Sequence, residues 1–185
     1  MIFAGAFTAK VRPDYLLSLI DAMGSSTRVD IKTSDTWVER LEKEPPFRSG
    51  QCTVGPWVDA AVLPTLYEEH DALLSIAEHD GKQLSSKIFS YMGTGKPVVH
   101  IYYADDDVNV RYLRKYPLAL CIQANADRLV ENVRLTQLFL LWSLGRRLSQ
   151  DEVEKRFESC TPRFISRELL RCATAQSLCH VESVN

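Results

Sequence analysis

The sequence predicts an α/β fold: a doubly wound parallel sheet of about six strands, with helices on both faces and a helical C-terminal extension. Three observations predict it. Short apolar runs alternate with helical patterns between residues 2 and 123. The stretch from Asp71 to Tyr102, DALLSIAEHDGKQLSSKIFSYMGTGKPVVHIY, reads as strand, polar loop, short capped helix, glycine stop and strand. That is one βαβ unit with a ligand-sized loop after its first strand. From Asp127 onward every pattern is helical.

The elements follow in order. Ile2 to Phe7 is a short apolar strand, and Pro13 opens a helix at its first position. Tyr15, Leu16, Leu19, Ile20 and Met23 share one face of that helix, and Gly24 stops it. Thr27 to Lys32 alternates as a strand. Thr36 to Leu41 suits a helix, and Lys43 to Gly50 reads as a loop because of Pro45-Pro46. Gln51 to Val54 is a weak strand, Ala60 to His70 a helix with Pro64 in its first turns, and Ala72 to Ala77 a buried strand. After the helix Lys87 to Gly93 come the strand Val98 to Tyr103, a turn, helical Val110 to Lys115, and the last strand, Leu118 to Gln123. The extension divides into Asp127 to Leu144, Ser149 to Glu158 and Arg163 to Thr174, with Asp127, Ser149 and Thr161 as caps and Pro162 at a first helical position. The whole reads as one Rossmann-like domain over 1–185, with a sheet region at 1–125 and a mostly helical region at 126–185.

Composition narrows the function classes. The chain has 185 residues and a net charge of −2, so no global basic field recruits nucleic acid or an anionic membrane. No apolar run has the ~20 residues of a membrane span. MIFAGAF lacks the basic start of a signal peptide and reads as a strand. Five cysteines without Cys-x-x-Cys spacing fit reduced thiols in the cytoplasm rather than disulfides or a zinc site. Membrane contact would be peripheral at most.

In such sheets ligands bind beyond the carboxyl ends of the strands. The loops expected there are Gly5 to Arg12, Gly55 to Trp57, Glu78 to Ser86 and Tyr103 to Asp107. Ser85 or Ser86 caps the helix that follows, whose free N–H groups and positive dipole end suit a phosphate. Lys87 stands in the first turn, where the dipole prefers an acid; either a phosphate or simple solvation accounts for it. Lys10 and Arg12 could hold a diphosphate or be solvated. Glu78, His79 and Asp80 could bind sugar hydroxyls, transfer protons, or form a polar turn. Asp105, Asp106 and Asp107 fit capping of the next helix better than a metal. GTGKP lacks the spacing of a phosphate loop; Gly95 suits a left-handed helix cap and Gly93 close helix–sheet packing. Trp57 and Trp142 suit a core or an interface, and His70 and His100 structural positions.

The segment SSKIFSYMGTGKPVVHIY (Ser85 to Tyr102) resembles the donor-binding βαβ unit of GT-B-fold glycosyltransferases of the retaining "group 1" class. VGPWVDAAVLPTLYEEHDALLSI (Val54 to Ile76), IFAGAFTAKVRPDYLLSLIDAM (Ile2 to Met23) and Thr161 to Ala173 resemble other parts of the same domain. The resemblance implies a C-terminal, nucleotide-sugar-binding domain. In it, the backbone N–H groups of Leu84, Ser85 and Ser86 would meet the diphosphate, with Lys87 in the same turn. Arg12 and Lys10 would neutralise it, Val54, Gly55 and Trp57 would lie by the base, and Glu78 to Asp80 would approach the sugar, as catalytic candidates. The nucleotide sugar is a substrate, and neither a cofactor nor a metal is implied. The implied activity is sugar transfer with retention, in polysaccharide biosynthesis.

Two departures accompany the resemblance. The family's Glu-x7-Glu pair falls on Lys82 and Ser90, neither acidic; Ser90 can still hydrogen-bond a ribose hydroxyl. The family also has a preceding acceptor-binding domain, so this chain is expected to need that domain or a partner chain to transfer sugar. Two alternatives stand beside this reading. One is a non-catalytic module of the same fold; the other is a domain of a non-hydrolysing nucleotide-sugar epimerase.

Overall fold

The structure, a computed structural model, describes residues 1–160, 166 and 167. The chain divides into two units, Met1–Leu148 and Ser149–Asn185. The first contains, in order, β1 (Ile2–Ala4), α1 (Asp14–Met23), β2 (Val29–Thr33), α2 (Asp35–Leu41), α3 (Pro45–Arg48), β3 (Cys52–Pro56) and α4 (Leu63–Glu68). There follow β4 (Leu73–Ile76), α5 (Ser86–Gly93), β5 (Val98–Tyr102), α6 (Val108–Leu113), β6 (Ala119–Gln123) and α7 (Leu129–Ser143).

The six strands are all parallel, in the order β3-β2-β1-β4-β5-β6. Strand order therefore reverses at β1. The chain builds outward through β2 and β3, then crosses back to β4 and builds the other way. Right-handed crossovers place the helices of the two halves on opposite faces. Burial agrees. Phe3, Val29, Ile31, Leu74, Ile76, Val99, Ile101 and Ile122 form one core with Leu16, Leu19, Ile20 and Met23 of α1, and Leu129, Val133, Phe139 and Leu140 of α7 pack against it. The alternate strand residues Ile2, Leu73 and Val98 are also fully buried, as are Ile88, Tyr91 and Met92 of α5. The i, i+3, i+4 spacing of those three puts them on one helical face. Ile88 and Met92 each contribute roughly 1.5–3 kcal/mol by leaving water. Tyr91 meets Tyr67 of α4 edge to face, with centroids 5.2 Å apart.

Several local expectations change. Pro45 and Pro46 begin the short helix α3 instead of a loop. At the first two helical positions a missing N–H costs no hydrogen bond. β1 ends at Ala4; the Gly5 N–H still donates to Lys32 O of β2 (2.9 Å), and the chain then leaves the sheet. Gly93 is exposed with nothing near the position of a Cβ, so it serves no close packing. The left-handed residue is Gly95, φ 73°, where a Cβ would fall on the Leu148 carbonyl oxygen. Asp127 is not a cap: Asn125 caps the 3-10 turn Ala126–Arg128 ahead of α7, accepting from the Asp127 N–H at 2.9 Å, and α7 follows Arg128 with no side-chain capping bond.

In the second unit, α8 (Gln150–Arg156) opens with a capping box between Ser149 and Glu152, as Ser149 predicted. The helix predicted for Arg163 to Thr174, with Thr161 as cap and Pro162 at its start, falls outside the described residues, save that 166 and 167 are helical. Cys172, Cys179 and His180 also lie outside them. Cys52, Cys121 and Cys160 are free thiols.

Candidate functional site

β1 and β4 pair at one position, Ile2↔Leu73, so their carboxyl ends are not laddered together. This is the point where strand order reverses, and the place where open parallel sheets bind ligands. Three loops close around it. The His79 N–H donates to Lys10 O (3.0 Å), joining the loops after β4 and β1. Lys10 Nζ sits 3.3 Å from Glu78 Oε2. The His79 ring stacks on Tyr103, with centroids 3.8 Å apart and planes at 22°. The Tyr103 hydroxyl donates to Arg12 O at 3.2 Å, and burial pushes that phenol up to about 12.

Into this crevice points the start of α5. Ser85 is the N-cap, in extended conformation, with no capping bond from its own hydroxyl. The Ile88 N–H turns back to Ser85 O (3.3 Å). The Ser86 and Lys87 N–H groups have no acceptor among the described residues. The Lys87 side chain crosses the sheet edge, and its Nζ lies 5.1 Å from the centre of the Phe3 ring. A Cβ at Gly5 would coincide with that ammonium, so only glycine lets Lys87 lie there. Burial lowers the lysine's pKa, and no carboxylate among the described residues pairs with it. A partly desolvated ammonium beside free N–H groups is an arrangement that favours a bound anion.

The other expected residues fall into two groups. Lys10 and Arg12 reach the crevice but already face acids: Lys10 faces Glu78, and Arg12 Nε lies 2.9 Å from Asp14 Oδ2. Their charge is shared, unlike that of Lys87. Asp80 Oδ1 accepts from the Lys82 N–H (3.1 Å) and shapes the turn at Gly81. Glu78, His79 and Asp80 thus stand together at the end of β4, with His79 held flat against Tyr103. Leu84 is exposed on the loop before α5. Ser86 and Ser90, four residues apart, share one exposed stripe of α5. Val54, Gly55 and Trp57 lie at β3, two strand spacings or about 10 Å from β1. Val54 joins the core, Gly55 lies beside Lys32 of β2, and Trp57 is 52% exposed.

One expected donor is taken. The Ser85 N–H donates to Asn109 Oδ1 of α6 at 2.8 Å and is not free for a ligand. Sequence reasoning missed Asn109, because nothing local links it to a residue 24 positions away. The cap Asp107 had a local signal, its place before a helical run. Its Oδ1 accepts from the N–H groups of Asn109 (2.8 Å) and Val110 (3.2 Å). Burial pushes the Asp107 carboxyl up, but His100 and these N–H groups outweigh it and hold the pKa below its ordinary value.

A cleft of about 830 Å³ lies at the opposite, amino-terminal edge of the sheet, lined in part by Arg28, Asp30, His70, Leu141 and Leu144. It exceeds the hollow of about 460 Å³ beside Thr8, Arg12 and Trp37; within it His70 Nε2 lies 3.8 Å from Asp30 Oδ2, and Arg28 O accepts from the terminal ammonium. No group of three or more His, Cys, Asp or Glu side chains suited to a metal occurs among the described residues. No described helix is long and apolar enough to cross a membrane. The chain matches no protein-family model and no curated protein.

Proposed function

We propose that the chain is the donor-binding half of a glycosyltransferase of the GT-B type, taking a nucleoside-diphosphate sugar at the carboxyl edge of its sheet. The observation that carries this reading is Lys87: an ammonium drawn out of water over Gly5, with no counter-ion among the described residues, at the start of α5. The strand order and the resemblance of Ser85 to Tyr102 support it. In this reading the Ser86 and Lys87 N–H groups and the Lys87 ammonium hold the diphosphate. When the bond from sugar to diphosphate breaks, negative charge grows on the leaving oxygen, and these preorganised donors stabilise it. Arg12 and Lys10 add a weaker field, reduced by Asp14 and Glu78. The base extends toward β3, and Ser90 lies on the stripe that meets the ribose. Glu78, His79 and Asp80 face the sugar. A preceding acceptor-binding domain or partner chain completes the transferase, which acts with retention in polysaccharide assembly on the cytoplasmic side.

Calorimetric titration with UDP, GDP, the matching nucleosides and their sugar conjugates tests this. The reading expects saturable binding of a diphosphate and much weaker binding of its nucleoside. Equal affinity for nucleoside and diphosphate would remove the diphosphate from the account. The second reading, a non-catalytic module of the same fold, draws on Lys82 and Ser90 standing where the family has carboxylates.

A further inference from the structure

We infer that Asn109 is a positioning residue for the anion site, its amide fixing the Gln83–Ser85 backbone so that α5 presents Lys87 and its free N–H groups over Gly5. The inference rests on the reading of this edge as a diphosphate site. Asn109 is 1% exposed and touches none of the groups assigned to the ligand except through backbone. Its Oδ1 accepts from the Ser85 N–H at 2.8 Å, and its Nδ2 donates to Gln83 O at 3.1 Å. One amide thus pairs with a donor and an acceptor two residues apart, as a neighbouring strand would.

Asn109 is itself held rigidly. Asp107 Oδ1 accepts from its backbone N–H (2.8 Å), and the same oxygen lies 3.6 Å from His100 Nε2 in the interior of β5. The loop is also pinned at its other end. The Val108 N–H donates to Gly81 O at 3.0 Å. Gly81 has φ 64°, and a Cβ there would meet Ala104 Cβ at 2.9 Å and Asp107 Cα at 3.0 Å. The loop from Gly81 to Ser85 is therefore fastened at both ends to the β5–α6 junction. An amide that only filled space would not direct both of its polar atoms to one three-residue stretch. Without it, the Ser85 N–H and Gln83 O lose their partners, and the loop gains freedom that binding must then remove.

The test is titration of the full chain with inorganic pyrophosphate and with UDP, for wild type, Asn109→Ala, Asn109→Asp, Ser85→Pro and the Asn109→Ala/Ser85→Pro double variant. Ser85 has φ −80°, so proline fits its backbone and removes the N–H, together with a hydroxyl that makes no capping bond. Asn109→Ala and Ser85→Pro are each expected to weaken binding about tenfold or more. The double variant should bind no more weakly than the weaker single one, because both remove the same hydrogen bond. Asn109→Asp, which keeps an oxygen for the Ser85 N–H, should fall between Asn109→Ala and wild type. Amide exchange at Ser85 and Ile88, whose N–H groups are bonded to Asn109 Oδ1 and Ser85 O, should quicken in Asn109→Ala while the β5 amides stay protected.

Wild-type affinity in Asn109→Ala, or additive losses in the double variant, would overturn the inference. Wild type binding neither pyrophosphate nor UDP would refute the diphosphate reading instead. Exchange then decides the positioning role: faster exchange at Ile88, the first bonded amide of α5, supports it, and unchanged exchange there overturns it. Should Asn109→Ala fail to fold, Ser85→Pro and Asn109→Asp carry the same comparison.

Discussion

Lys87 combines two costs that a folded chain ordinarily avoids: an ammonium partly withdrawn from water and no carboxylate among the described residues to meet it. Its folded pKa lies below the ordinary 10.5, so between the two values the unfolded chain binds the extra proton. Stability should therefore rise with pH through that window and level off above it, and Lys87→Met should abolish the rise. Thermal melts of both proteins across alkaline pH would check this; parallel curves would remove burial of Lys87 from the account. Anion affinity should move the other way, falling as pH rises through the lowered pKa, because the neutral amine no longer attracts phosphate. In the variant that pH dependence should be absent. Lys87 was legible from sequence as a lysine where the helix dipole prefers an acid. Its place above Phe3 and Gly5 was not, since that depends on how α5 crosses the edge of β1.

Caps decide much at the level of elements. Asp107 begins α6 by accepting two N–H bonds, and its carboxylate faces buried His100. Its folded pKa lies below the ordinary 3.8, so it stabilises the fold above that value and the contribution fades as pH falls through the lowered one. Asp107→Asn should flatten stability in that acid window while lowering it by about 1 kcal/mol or more at neutral pH, the usual scale of a lost cap. Denaturant unfolding at pH 3 and pH 7 would show it; an unchanged acid response would contradict the assignment. Gly95→Ala should cost more, roughly 1–2 kcal/mol for the left-handed backbone alone, because a Cβ there also strikes the Leu148 carbonyl. A melting temperature within error of wild type would refute that. In α8, Ser149→Ala removes the capping box and should weaken the helix by about 1 kcal/mol, read from faster amide exchange at Glu152 and Val153. Ser149 was legible because a capping box is a four-residue pattern. α3 was misread because two prolines signal a loop to the eye, while physically they suit the first two helical positions.

The sheet as a whole places the site. Alternating strands and helices predicted the fold class, and the order β3-β2-β1-β4-β5-β6 puts the reversal at β1, directly under Lys87. Sequence patterns found the loops at that edge because each follows a strand. They could not show which charges cancel there. Lys10 and Arg12 appeared equal to Lys87 until Glu78 and Asp14 proved to face them. Nor could they foresee that α7 joins the sheet's unit by packing on α1, with Leu138, Leu141 and Trp142 facing outward. The central claim is one of place: the diphosphate sits at the reversal point. A crystal structure of the chain with UDP or GDP, whichever binds, tests it most directly. The account predicts phosphate oxygens in contact with Lys87 Nζ and the Ser86 and Lys87 N–H groups, with the base toward Trp57. A nucleotide seated in the cleft by Arg28, His70 and Leu144 at the opposite edge would contradict it.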